Sequence, residues 1–151
     1  MQYRSLPVFI ALVCLIAVTG IQFEPGLWYA ALDKPPLTPP NRVFPIAWTL
    51  LYLMIAVSGW LAWQSPAITP KRYAFACYGI QLLLNASWSW VFFGQHWIGI
   101  GMVNILLLLP AVAVNIRLFL PLSRLAAMLL IPYLVWVGFA LYLNTGILWL
   151  N

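Results

Sequence analysis

Charge is what this chain has least of. Only 6% of its 151 residues are Asp, Glu, Lys or Arg, where soluble domains carry about 25%. Nine such residues cannot build a water-facing surface, and with 65% hydrophobic residues the solvent that tolerates this balance is lipid. Catalytic groups are equally scarce. Two carboxylates, Glu24 and Asp33, and one histidine, His96, make up the whole supply. No acid–base pair falls inside an apolar run, and no metal-ligand spacing exists. The lack of ionisable residues within the apolar segments also argues against an ion-coupled pump. The net charge of +5 comes from Lys and Arg scattered singly or in one pair. No basic patch forms, so no nucleic-acid partner is expected. Cys14 and Cys77 stand far apart in apolar runs without CxxC spacing and read as small buried side chains.

What is present is a set of long apolar runs. Residues 5–23, 43–70, 73–116 and 125–151 contain no Asp, Glu, Lys or Arg. A transmembrane helix needs about 20 residues. The 73–116 run would reach about 66 Å as one helix at 1.5 Å per residue, so it must turn, and Gly94-Gln95-His96 is its polar break. The expectation is an all-α integral membrane bundle of five transmembrane helices in one domain, 1–151. The spans fall at about 6–23, 43–64, 72–93, 97–118 and 122–148. No A-x-A-like cleavage site follows the first run, so it reads as a retained helix rather than a signal peptide. With the N-terminus inside, one side holds Arg4, Lys71, Arg72, Arg117 and Arg124. The other holds Lys34 and Arg42, offset by Glu24 and Asp33. This bias places the N-terminus in the cytoplasm and the C-terminus outside an inner membrane.

The longest connection, 24–42, holds five of the twelve prolines. Pro35-Pro36 and Pro39-Pro40 fix φ and remove backbone donors, so no regular helix is expected there. Two readings fit: a rigid lid over one mouth of the bundle, or an interfacial loop anchored by Trp28 and Tyr29. Trp28, Trp60, Trp63, Trp97 and Trp149 lie near span ends, as an aromatic belt requires. Deeper aromatics fall on helical stripes. Trp48 and Tyr52 share one face. Asn85, Trp88, Ser89 and Phe92 share another. Tyr133, Trp136, Ala140 and Asn144 share a third. Their polar members would be unsatisfied against lipid, so the stripes face inward. They either enclose a flat aromatic cavity or join helices by amide and hydroxyl bonds. Asn104 and Asn115, also on one face, read as helix–helix contacts.

The motifs resemble those of the TspO family. Trp28-Tyr29-Ala30-Ala31-Leu32-Asp33-Lys34-Pro35, then Pro39-Pro40, then Trp48-Thr49-Leu50-Leu51-Tyr52 is similar to its WYxxLxKPxxxPP and WxxLY signature. Leu84-Asn85-Ala86-Ser87-Trp88 with Phe92-Phe93-Gly94 resembles LNxxW…FFG. Pro132-Tyr133-Leu134-Val135-Trp136 with Phe139-Ala140 and Leu143-Asn144 resembles PYxxWxxFAxxLN. The resemblance covers nearly the whole chain in order.

It implies a five-helix bundle, often a homodimer in the bilayer, whose pocket takes porphyrins (protoporphyrin or haem) and benzodiazepine-type drugs, with no obligatory cofactor. The implied lid is Trp28, Tyr29, Lys34, Pro35, Pro39 and Pro40. The implied pocket is Trp48, Tyr52, Asn85, Trp88, Phe92, Trp136 and Ala140, which coincides with the three stripes and favours pocket over packing. A porphyrin propionate is expected near Lys34 or Arg42. The implied roles are sensor, carrier or scavenger, with no catalytic residue. The alternative is light- and oxygen-dependent degradation of protoporphyrin, with Trp48 and Trp136 as electron donors. The sequence departs from the pattern at Arg42, where the family has Trp, and at Pro45, where it has Gly. Thr145 and Trp149 replace the Tyr and Arg of the sterol motif in animal members, so cholesterol is not an expected partner.

Overall fold

The computed structural model describes residues 5–23, 25–66 and 71–151, and their fold is all-α, with no strand among them. Helix α1 spans Leu6–Gln22, α2 Leu27–Ala31, α3 Val43–Gln64, α4 Lys71–Ser89, α5 Ile98–Phe119, α6 Arg124–Leu129 and α7 Ile131–Leu150. Three stretches are long and apolar enough to cross a membrane: α3, α5, and α6 with α7 taken together. Helix α1 is apolar but shorter. Helix α4 is the most polar of the long helices, carrying Lys71, Arg72, Gln81, Asn85, Ser87 and Ser89.

Four elements differ from the sequence expectation, each for a local reason. The last span is not one rod. It breaks at Leu130, because Pro132 supplies no N–H to the preceding turn and restarts the helix as one of the first residues of α7. The third span does not stay α-helical to residue 93: Trp90–Gly94 forms a π-helical turn, closed by the Gln95 amide on the Trp90 carbonyl at 2.9 Å. Such wide turns are rare and re-aim side chains, often at functional sites. The 24–42 connection does contain helix, namely α2, which lies entirely ahead of the proline pairs. Finally, Trp60 does not belong to a belt. It is buried in the core, whereas Trp63, Trp97 and Trp149 are exposed as expected.

Buried amides and hydroxyls join the helices. Asn115 donates to the Ala74 carbonyl (3.1 Å) and Asn104 to Ser87 Oγ (2.7 Å), so both bind α5 to α4 as read from their spacing. Ser58 donates to the Ala126 carbonyl (2.7 Å), tying α3 to α6. A low-polarity surround makes such bonds obligatory rather than strong; each contributes about 0.6 kcal/mol on average. The cysteines depart from expectation: Cys14 is exposed on α1, and Cys77 is half-buried with its thiol on the Ala111 carbonyl.

Helices α1 and α3 touch closely at the end where α1 begins and α3 stops. Gln64 bonds Ser5 there (3.0 Å), and Phe9 lies against Gly59, where a Cβ would come within 2.8 Å of the ring. Gly59 is thus required by close approach rather than by backbone conformation. Toward the other end of the two helices, the space between them is a cavity.

Candidate functional site: an aromatic cavity under a docked loop

The floor of the cavity is a three-helix junction. Asn85 on α4 accepts from the Tyr52 hydroxyl of α3 (2.8 Å) and donates to the Tyr133 hydroxyl of α7 (3.1 Å). Tyr133 is fully buried, and Asn85 nearly so. An amide facing lipid could not be satisfied, so its position on α4 directs this face inward. Above the floor, Trp48 stacks on Tyr52 with ring centroids 5.2 Å apart and meets Trp136 edge-on at 6.4 Å. On the opposite wall Trp88 stacks on Phe92 at 5.0 Å, nearly parallel. The Trp88 indole donates to Asn144 Oδ1 (3.3 Å), and Asn144 in turn donates to the Ile98 carbonyl (3.0 Å). Gly101 makes this wall possible: a Cβ there would lie 3.1 Å from the Phe92 ring and 3.2 Å from Asn144 Oδ1.

The enclosed volume is about 380 Å³, within the range of small-molecule sites. None of the described residues that line it carries a charge. Part of its polar lining is engaged already, by Tyr52, Asn85, Trp88 and Asn144 among themselves and with the backbone. What faces the empty space is chiefly aromatic ring surface and aliphatic carbon. Such a cavity favours a flat, largely apolar molecule whose faces stack on indoles. Exposed lining residues, Ile21 on α1 and Pro45 and Thr49 on α3, mark its open edge between those two helices. Among the described residues no three His, Cys, Asp or Glu come together as metal ligands.

The loop over the cavity is docked on α7. Tyr142 donates to the Pro36 carbonyl (2.6 Å). Asn151 accepts from the Asp33 amide (3.0 Å) and donates to the Asp33 carbonyl (2.9 Å). Pro35 is buried against Gly146, where even a Cβ would meet its ring at 2.6 Å. At the loop tip the Thr38 amide reaches the Pro35 carbonyl (3.4 Å) around Pro36 and Leu37, and Leu37 has φ 71°. Proline followed by a residue with positive φ is the pattern of a type II turn, whose third position favours Gly. Leu37 therefore holds a strained conformation of order 1 kcal/mol, maintained by the surrounding contacts.

A protein-family model described as the TspO/MBR family matches residues 6–150. The chain belongs to the TspO/MBR family. It is 38% identical to the tryptophan-rich protein TspO of Chlorobaculum tepidum over 159 aligned positions, covering 99% of this chain and 98% of that one. It is 36% identical to protein CrtK of Rhodobacter capsulatus, covering 95% and 89%. It is also 35% identical to the human translocator protein, covering 89% and 80%.

The positions singled out from the TspO motifs separate into two groups. Tyr29, Trp48, Tyr52, Asn85, Trp88, Phe92, Trp136 and Ala140 all line the cavity. Trp28, Lys34 and Pro39 do not. Trp28 stacks on exposed His96 at 4.1 Å and meets Phe92 edge-on at 5.7 Å, packing from outside. His96, read as a solvated turn residue, is exposed with φ 59° but carries this indole on its ring. Lys34 turns back on its own loop: its ammonium bonds the Leu32 (2.8 Å) and Ala30 (3.3 Å) carbonyls and lies 4.9 Å from the Tyr29 ring centroid. Burial raises the Tyr29 phenol above its ordinary pKa, so it remains neutral beneath that cation. Sequence reasoning missed the α1 wall, Ala17, Gly20, Ile21 and Phe23. The signal was faint: two small residues, Ala17 and Gly20, about one turn apart in a run with few polar positions.

Because Pro35 fills the space over Gly146, Gly146→Val should lift the TspO loop from α7. Amide hydrogen exchange across residues 32–38 is expected to rise at least about tenfold, a change of about 1.4 kcal/mol in local opening, while α3 and α5 stay protected. Unchanged exchange would mean that the loop is held elsewhere.

Proposed function

We propose that this TspO/MBR protein is a membrane-embedded binding protein for flat tetrapyrroles and for benzodiazepine-type molecules, working as sensor, carrier or scavenger. The observation that carries this reading is the charge-free aromatic cavity, with stacked Trp48–Tyr52 and Trp88–Phe92 pairs on separate walls. A tetrapyrrole core is flat and apolar on both faces, which suits such walls. Ala140 supports the same reading: it lines the cavity one turn after Trp136, and a small side chain there leaves room against α7.

Protoporphyrin titrated into the purified chain is expected to quench tryptophan fluorescence saturably, because indoles border the site. Ala140→Thr adds two heavy atoms, and overfilling costs about 1–3 kcal/mol. Affinity should fall about 5- to 150-fold while the melting temperature of the empty protein changes little. A well-folded Ala140→Thr protein with unaltered affinity removes Ala140 from the site.

A second reading, oxidative breakdown of protoporphyrin in light and oxygen, is favoured by the edge-on contact of Trp48 and Trp136 inside the cavity. Two indoles in contact beside a bound ring are suited to supplying an electron. Under this reading Trp48→Phe with Trp136→Phe abolishes photochemical product formation and reduces binding less. Product formation that survives the double substitution removes both residues from the chemistry.

The chain in this reading crosses the bilayer five times, as a homodimer, with its N-terminus in the cytoplasm of a cell with an inner membrane. The support for the orientation is the five-to-two division of Lys and Arg between the two sides. Residue 68, in the first cytoplasmic loop, lies outside the described residues. Exposed Leu37 and Leu120 serve as reporters instead. On a background lacking Cys14 and Cys77, an impermeant thiol reagent added outside intact cells should label Leu37→Cys and leave Leu120→Cys untouched. The reverse pattern inverts the topology.

A further inference from the structure

No described residue that lines the cavity carries a charge, yet a cation stands next in sequence to its open edge. Arg42 caps the start of α3 with helical backbone angles, φ −63° and ψ −18°. Positions three and seven residues further on share its side of the helix. These are Pro45 and Thr49, the exposed α3 residues at the open edge of the cavity, and Asn41 beside it also lines the space. Arg42 is exposed, and its guanidinium has no hydrogen bond or ion pair within the described residues. The other cation of this end, Lys34, is committed to two carbonyls of its own loop and to the Tyr29 ring. The remaining described cations lie in the segments after α3 and around the α5–α6 turn. Lys71, for instance, is bound to the Trp63 and Ser65 carbonyls.

An apolar cavity with a guanidinium beside its open edge that no described residue engages sorts ligands by where their charge lies. An ionised carboxylate buried inside would lose its hydration with no cationic partner, a cost the interior cannot offset. The same carboxylate at the rim keeps part of its water and meets a planar donor fork that matches it in two parallel bonds. We propose that Arg42 is a specificity-determining residue that receives the anionic edge of the ligand. The site thereby selects flat aromatic molecules whose carboxylates are confined to one edge, with that edge held outside the cavity. This inference rests on the flat-ligand reading above and assigns to Arg42 a role that Lys34 does not share.

The test uses the full chain in lipid nanodiscs, with protoporphyrin (two propionates on one edge) and its dimethyl ester as probes. Wild-type protein should bind the acid at least about fivefold more tightly than Arg42→Gln does, the size expected for a partly exposed charge-assisted pair. The loss should shrink as salt rises. The ester should bind both proteins alike, within about twofold, which also shows that the variant's cavity is intact. Arg42→Lys should recover part of the loss, and Lys34→Gln, which can loosen the loop but meets no carboxylate, should leave the ratio of acid to ester affinity unchanged. Equal weakening of acid and ester by Arg42→Gln, or no weakening of the acid, overturns the assignment to Arg42 and leaves the flat-ligand reading standing. If wild type binds neither acid nor ester, that reading fails and takes this inference with it.

Discussion

The cavity depends on one amide. Asn85 holds Tyr52 of α3 with its oxygen and Tyr133 of α7 with its nitrogen, and those two bonds set how far three helices approach at the floor. Side chains as large as Trp48 and Trp136 then stand above a junction that cannot collapse further. An aliphatic residue in place of Asn85 could pack, but it would leave two hydroxyls inside the bundle to find other partners. The aromatic walls follow from that spacing. Trp88 lies one turn beyond Asn85 on the same helix, and its indole is held by Asn144 on the same face of α7 as Tyr133.

The upper boundary obeys a different constraint. Proline-rich backbone offers carbonyls but few donors, so the loop over the cavity is fixed by donors from elsewhere. Tyr142 of α7 and Asn151, which caps its end, supply them, to Pro36 and Asp33. Gly146 allows Pro35 to approach α7 closely enough to close the space between those two bonds. The π-helical turn at Trp90–Gly94 completes the enclosure from α4, delivering Phe92 to the Trp88 ring and Phe93 to the edge of Tyr29. Loop, π turn and α7 thus form one unit, and the opposite side, between α1 and α3, is where the cavity meets the surroundings.

Poverty of charge determines the chemistry on both scales. Across the chain it assigns the protein to a membrane. Within the site it leaves stacking surface and a few internally paired amides and hydroxyls, with no acid, base or metal-ligand cluster among the described residues. Under the proposed function, selectivity comes from shape, from ring stacking and from the charge that Arg42 is proposed to hold at the rim.

Helix positions and the inward stripes were legible in the sequence because both depend on local rules. An apolar run must satisfy its backbone internally, and a period of 3.6 residues puts Asn85, Trp88 and Phe92, or Tyr133, Trp136 and Ala140, on single faces. The family motifs then carried these faces to one site. Three things were decided only by tertiary structure. Lys34 turns to its own loop carbonyls, because the direction of a flexible side chain depends on which acceptors the folded loop presents. The α1 wall of Ala17, Gly20 and Ile21 was barely legible, because a helix with so few polar residues has little periodic signal to mark which face meets the cavity. The closure of the loop on Gly146 and Asn151 joins residues more than 100 positions apart, and no local pattern encodes a contact between segments that meet only once the bundle has formed.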